Sequence, residues 1–272
     1  MKASIIALSS TLAAAAPVQA QQTGEANGWT PEITVTGTRE VYNEPTALTA
    51  TRTPTPVEKV PQSIQSLTRK LIEDQDLQNL TDALVNVSGV APTSQAQAVL
   101  QPTLVRGFKV NYFIDGIPTY QLPEGAADPA TLIFVERIEV AKGPSATLYG
   151  GGAGAPLSGL INLVSRDPST AGISGSAGLR AGSLNTWGSD ADINLPLGDA
   201  AAIRISGMAE SADSYVDFVK MDRLAIFPSL LVKLGEDTQL VMRGRYNKLK
   251  QTEYAGLPAE LVKPNLLIDR NV

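Results

Sequence analysis

The 272-residue chain contains neither cysteine nor histidine. Without cysteine there is no disulfide, no thiol nucleophile and no thiolate metal site. Without histidine the commonest metal ligand and the commonest general base are both missing. An enzyme would have to be assembled from carboxylates, and no carboxylate pair or nucleophile stands in a recognisable constellation. Charged residues make up only 18% of the chain, the net charge is −5, and there is no long basic run. Nucleic acid, whose backbone demands clustered Lys and Arg, is therefore not an expected partner. No segment beyond the N-terminus has the roughly 20 consecutive apolar residues that a spanning helix needs. If the chain enters a membrane, it does so with strands.

Gly (23) and Pro (18) are plentiful, which suits a turn-rich β protein. The chain opens with Met1-Lys2, an apolar or small stretch from Ile5 to Ala16, and Val18-Gln19-Ala20. This is the pattern of a secretory signal peptide over 1–20, cut after Ala20. A polar linker covers 21–48. Inside it, Glu32-Ile33-Thr34-Val35-Thr36-Gly37 carries a β-branched run that favours extended backbone. Such a segment can be an ordinary edge strand or can add to the exposed sheet edge of a partner.

Residues 49–168 read as mixed α/β. Ser63 to Leu67 alternates like a strand. Thr68 is placed to cap a helix over Arg69 to Asp76, and Asn79 or Thr81 a second helix carrying Leu80, Leu84 and Val85. Short strands are expected at Leu104 to Phe108, Tyr112 to Asp115, Ile133 to Ala141 and Leu160 to Val164, with Asp115-Gly116 as a turn. The glycine-rich stretch from Gly143 to Gly159 fails as a phosphate cradle. No Lys-Ser or Lys-Thr follows Gly150, and Leu157 stands where the dinucleotide fingerprint needs glycine.

From 172 to 272 the pattern has period two. Ile173, Gly175, Ala177 and Leu179 share one face, as do Ala191, Ile193 and Leu195, and Ile203, Ile205, Gly207 and Ala209. Leu224, Ile226, Leu230 and Val232 continue it, then Leu240, Met242 and Tyr246. The opposite face holds Asp190, Asp192, Asn194, Arg204, Ser206, Arg243 and Arg245, with Met208 as an apolar interruption. Alternation of this kind also suits a half-buried sheet in water. Tight turns at Leu197-Gly198-Asp199-Ala200 and Gly235-Glu236-Asp237-Thr238, against a longer polar stretch from Ser211 to Arg223, favour the arrangement of an outer-membrane barrel.

Several segments carry a resemblance when taken in order. They are Val60-Pro61-Gln62-Ser63-Ile64, Asp82-Ala83-Leu84 through Ser88-Gly89-Val90, Val105-Arg106-Gly107-Phe108, and Asn111-Tyr112-Phe113-Ile114-Asp115-Gly116-Ile117-Pro118. Val135-Glu136-Arg137-Ile138-Glu139-Val140, Lys142-Gly143-Pro144-Ser145 and Gly159-Leu160-Ile161-Asn162-Leu163-Val164-Ser165 follow. Together they resemble the plug domain of TonB-dependent outer-membrane receptors, especially the siderophore branch, and Glu32 to Gly37 resembles the TonB box. The fold class this implies is an α+β plug domain followed by the first antiparallel strands of a transmembrane β-barrel. Family barrels have about 22 strands, so the chain reads as an N-terminal fragment whose barrel is incomplete. The short stretch between Ala20 and Glu32 leaves little room for a signalling domain.

The resemblance implies import of a ferric siderophore across the cell outer membrane, without catalysis, protein cofactor or protein metal ligand. The expected partners are the TonB energy-transducing complex, which grips Glu32, Ile33, Thr34, Val35, Thr36 and Gly37, and the iron–siderophore cargo. The full-length receptor would be a monomer. Ligand contact is expected from Gln97, Gln101, Tyr120, Gln121 and Glu124, whose polar groups can reach chelator oxygens. Arg106 and Lys142 match two basic plug positions that pair with barrel glutamates and lock plug to wall. Lys142, which lacks arginine's bidentate fork, also fits an ordinary surface ion. Two alternatives are another cargo, such as cobalamin or a carbohydrate, and a soluble periplasmic binding module.

Overall fold

The computed structural model describes residues 42, 44–92, 103–119, 131–145, 149, 158–252 and 254. A leading segment carries a two-residue antiparallel pair, β1 (Thr46–Ala47) and β2 (Thr55–Pro56), then a 3-10 turn over Val57–Lys59. Strand β3 (Ser63–Thr68) passes directly into α1 (Arg69–Asp74). The Thr68 hydroxyl caps that helix, accepting the Leu71 N–H at 3.4 Å, as its position before the helical run leads one to expect. Asn79 caps α2 (Leu80–Leu84) by accepting the Asp82 N–H at 2.9 Å. Val85, expected inside this helix, stands at its C-terminal end and is exposed.

Strand β4 (Val90–Ala91) pairs with β5 (Leu104–Val105), which pairs with β6 (Phe108–Lys109). The single strand expected from Leu104 to Phe108 is thus a hairpin. Arg106 and Gly107 have φ of +51° and +85°. Two successive positive values reverse the chain in a two-residue turn. Strands β7 (Asn111–Ile114) and β8 (Ile117–Pro118) are joined the same way through Asp115-Gly116, the expected turn. Then come β9 (Val135–Lys142) and β10 (Gly159–Ser165). The main plug sheet has the order β3-β9-β10-β7-β8, with β10 parallel to β7 and antiparallel to β9.

The two faces of this sheet are covered differently. Leu67, Ile138, Val140, Ile161, Leu163, Tyr112 and Ile114 belong to a large buried cluster that takes in Ile72 of α1 and Leu80, Ala83 and Leu84 of α2. The other face has a small cluster of Phe113, Ala141 and Leu160, with Ile64 and Tyr149 against it. Gly159 has φ +132°, and a Cβ there would stand 2.2 Å from the Ala141 carbonyl oxygen. The β9–β10 pair therefore closes only around a glycine.

The second sheet runs β11 (Ser174–Ala181), β12 (Trp187–Pro196), β13 (Ala201–Asp213), β14 (Lys220–Lys233), β15 (Gln239–Arg243) and β16 (Tyr246–Gln251). All pairings are antiparallel, and β15 and β16 both pair with β14. The break between them lies beside Pro228, which has no N–H to give. Its carbonyl accepts the Gly244 N–H at 2.8 Å, and a Cβ on Gly244 would stand 3.1 Å from the proline ring.

Polarity is inverted in this sheet. Asp192, Asn194, Arg204, Ser206 and Arg223 are buried, while Ile173, Leu179, Ile193, Ile205, Leu224, Ile226 and Met242 are exposed. Met208, the apparent interruption, is buried with the plug residues Leu132, Ile133 and Phe134 in the large cluster. It is the point where a polar inner face meets apolar plug. The loop asymmetry expected from sequence is smaller than it looked. Strands β13 and β14 keep pairing out to Asp213 and Lys220, so the connection shrinks to 214–219. Among the described residues no helix is long and apolar enough to cross a membrane.

Candidate functional site: the plug and its seam with the wall

Arg106 and Lys142, far apart in sequence, come together at one corner of the plug. Arg106 occupies the tip of the β5–β6 hairpin, and its N–H donates to the Gly89 carbonyl at 2.8 Å. Lys142 ends β9, and its Nζ donates to Ser88 Oγ at 2.9 Å and Gln65 Oε1 at 3.2 Å. Lys142 is only 6% exposed, whereas Arg106 is exposed. The sequence assigned the surface character to the wrong one of the pair. Burial, and then the Arg106 charge nearby, hold the Lys142 ammonium below the usual lysine pKa. Among the described residues neither cation touches a carboxylate. The corner is thus a concentration of positive charge, suited to receiving carboxylates from outside it.

The other expected site residues, Gln97, Gln101, Tyr120, Gln121 and Glu124, lie outside the described residues. So do Glu32, Ile33, Thr34, Val35, Thr36 and Gly37.

A second polar assembly joins the plug to the first wall strands. Asp192 on β12 accepts from Arg204 Nη2 at 2.5 Å, Arg204 Nε at 3.0 Å and Ser206 Oγ at 2.5 Å. Arg166, just after β10, reaches the same carboxylate at 3.2 Å and Glu136 at 3.6 Å. Arg204 also donates to the Asp167 carbonyl at 3.3 Å. Arg243 pairs with the Asp167 carboxylate and approaches Asp115 at 3.8 Å. Asn194 accepts the Ser169 N–H at 2.8 Å and donates to the carbonyls of Ser169 and Gly172, both at 2.8 Å. Lys233 Nζ donates to Thr170 Oγ1 at 2.8 Å. The segment 166–172 is therefore stitched to β12, β13, β14 and β15. Beside it, Phe134 stacks on Phe227 with ring centroids 4.2 Å apart.

Sequence reasoning named no residue of this seam as functional. The signal was present in the polar alternation of Asp190, Asp192, Asn194, Arg204 and Ser206, but their partners on 166–172 follow no local period. Farther along the wall, Arg180 and Asp190 pair at 2.6 Å. They line a cleft of about 360 Å³ together with Arg69, Glu73 and Asp76 of the plug.

Residues 56–156 match the TonB-dependent Receptor Plug Domain. The chain is 30% identical over 228 residues to the ferrioxamine receptor of Yersinia enterocolitica, covering 80% of this chain and 31% of that protein. It is 32% identical over 216 residues to the catecholate siderophore receptor Fiu of Escherichia coli K12, covering 75% of this chain and 26% of that one. Among solved structures, FpvA of Pseudomonas aeruginosa bound to heterologous pyoverdines superposes with a TM-score of 0.68 at 27% identity, covering 76% of this chain and 28% of that one. The open form of the ferric-catecholate import receptor Fiu from Escherichia coli K12 gives 0.62 at 29% identity, covering 71% and 28%. The chain thus spans about a third or less of the length of the relatives it matches.

Proposed function

The chain belongs to the TonB-dependent receptors, and from that premise we propose that it is the plug and first wall strands of an outer-membrane importer of ferric siderophores. In this reading 1–20 direct export, 21–48 form a periplasmic linker with the transducer segment at 32–37, 49–168 are the plug, and 172–272 begin the barrel.

The observation that carries the reading is the inverted wall. A sheet whose buried face holds Asp192, Asn194, Arg204 and Ser206, and whose exposed face holds Ile193, Ile205, Leu224 and Ile226, matches hydrocarbon outside and a polar plug inside. A soluble module would place those isoleucines and leucines in its core. Ligand would engage Gln97, Gln101, Tyr120, Gln121 and Glu124. The transducer would pair with Glu32 to Gly37 by strand addition. Arg106 and Lys142 would receive barrel carboxylates. The iron stays with its chelator, so the protein supplies recognition and a gated path, and no bond is made or broken.

The deciding experiment is uptake by a receptor-deficient strain carrying the full-length gene. Radiolabelled hydroxamate, catecholate and mixed ferric siderophores are expected to enter only with an active transducer. Entry of cobalamin with none of the ferric chelates would overturn the cargo assignment. Recovery of the folded protein in the periplasmic rather than the membrane fraction would overturn the membrane reading.

A further inference from the structure

Glu139 is fully buried in the middle of the plug sheet, on the face opposite the helices. Its carboxylate reaches across to the leading segment. It accepts the Thr49 N–H at 2.8 Å, the Thr49 hydroxyl at 2.5 Å and the Leu48 N–H at 3.1 Å, while Arg137 Nε donates to its other oxygen at 2.7 Å. Thr49 is used completely. Its hydroxyl oxygen also accepts from Asn162 Nδ2 at 3.0 Å, and its carbonyl accepts from the Tyr149 hydroxyl at 2.7 Å. Arg52 lies 4.7 Å from the centroid of that tyrosine ring. One residue of the leading segment is thus gripped by three separate parts of the plug.

We propose that the Glu139–Thr49 grip is the latch that holds the leading segment on the plug and sets the load at which it leaves. This rests on the reading that Glu32 to Gly37 are pulled from below. Three features support it. Thr49 lies shortly after the pulled segment in sequence, and upstream contacts include exposed ones such as the Tyr42 hydroxyl on Asp74 at 2.8 Å. The sheet face beneath the segment is polar, with a buried apolar cluster of only Phe113, Ala141 and Leu160. The opposite face carries the large cluster with both helices, so apolar burial holds the leading segment far less than it holds the helices. What holds the segment is chiefly the set of hydrogen bonds at Leu48 and Thr49, three of them to the Glu139 carboxylate and two from Asn162 and Tyr149, strong while shielded and weakened together once water enters. Glu139 is here a positioning residue that meets neither cargo nor transducer.

The test uses the full-length receptor in outer-membrane vesicles without the transducer, comparing wild type with Glu139→Gln and Thr49→Val. Amide hydrogen exchange over 46–56 should be about tenfold faster or more in both variants, with 135–142 and 159–165 unchanged. When the receptor is pulled from its N-terminus by a force probe, the first rupture should come at lower force in both variants, and later ruptures should not move. Unchanged exchange over 46–56 in both, an equal loss of protection throughout the sheet in both, or an unaltered first rupture would overturn the latch. Neither measurement depends on transport. A receptor that imports no ferric chelate would defeat the functional reading and leave the latch result standing.

Discussion

Asp192 on β12 and Arg204 on β13 stand diagonally across one ladder, and the carboxylate takes two bonds from the guanidinium, at 3.0 and 2.5 Å. Both side chains are buried, and the plug's Arg166 reaches the same carboxylate. Removing one member of a buried pair strands the other without water. Arg204→Ala is therefore expected to lower the stability of the full-length receptor in micelles by about 3 kcal/mol or more, with Asp192→Asn milder. Thermal melting followed by circular dichroism checks this. A change within half a kcal/mol for Arg204→Ala would show that the seam is not a stabilising unit.

The apolar half of the seam makes its own prediction. Phe227 is buried and stacks on Phe134, and Met208 is buried in the same cluster. Phe227→Ala should cost about 3–5 kcal/mol and Met208→Ala about 2–5 kcal/mol, the usual range for emptied core positions. The wall should keep its strands while the plug loosens. Proteolysis of the embedded receptor would report this as faster cutting within the plug and unchanged protection of the wall.

Neither assembly was legible in the sequence, whereas the local elements were. Thr68 and Asn79 act through bonds to residues three positions on, and Asp115-Gly116 through the positive φ of its own two residues, so local chemistry located them. The period-two faces were equally plain, because a strand repeats its environment every second residue. Arg106 was misread as strand because arginine rarely takes positive φ, and only the β4–β5–β6 pairing fixes it there. Met208 looked like an error in a polar face because its reason is Phe134 and its neighbours on another domain. Glu139 and Thr49 are 90 residues apart, and no local pattern announces such a partnership.

Lys142 gives a pH dependence with a definite sign. Its folded pKa lies below the ordinary lysine value, first through burial and then through Arg106. Below the folded pKa the residue is charged in both states, and the fold bears the full cost of that charge. Between the folded and unfolded values the unfolded chain binds more protons, so stability rises with pH. From this group alone, wild type should gain stability relative to Lys142→Met as pH climbs toward about 10.4, the free lysine value. Parallel stability–pH curves for the two proteins would contradict it. Arg106→Ala should move the rise toward higher pH.

The outward face of the wall is tested by charge. Ile205 and Ile226 are exposed on adjacent strands. Ile205→Lys or Ile226→Lys should cost about 2–4 kcal/mol of folding into lipid vesicles if these positions lie near the bilayer midplane. Heat-modifiable gel mobility measures the folded fraction. Equal folding yields in wild type and both variants would mean that this face meets water.

The sheet order β3-β9-β10-β7-β8 also constrains how the molecule is made. Its central strand, Gly159–Ser165, is the last of the five in the sequence, and the first, Ser63–Thr68, can pair only after Val135–Lys142 has arrived. A chain made from its N-terminus therefore carries, for a time, open strand edges that nothing nearby in sequence can satisfy. Such non-local pairing is slow and leaves edges available to other chains in the meantime. Sheet closure must wait for residue 165, a few residues before the first wall strand emerges. The interval in which those edges stand open falls on this sheet, before the first wall strand has begun.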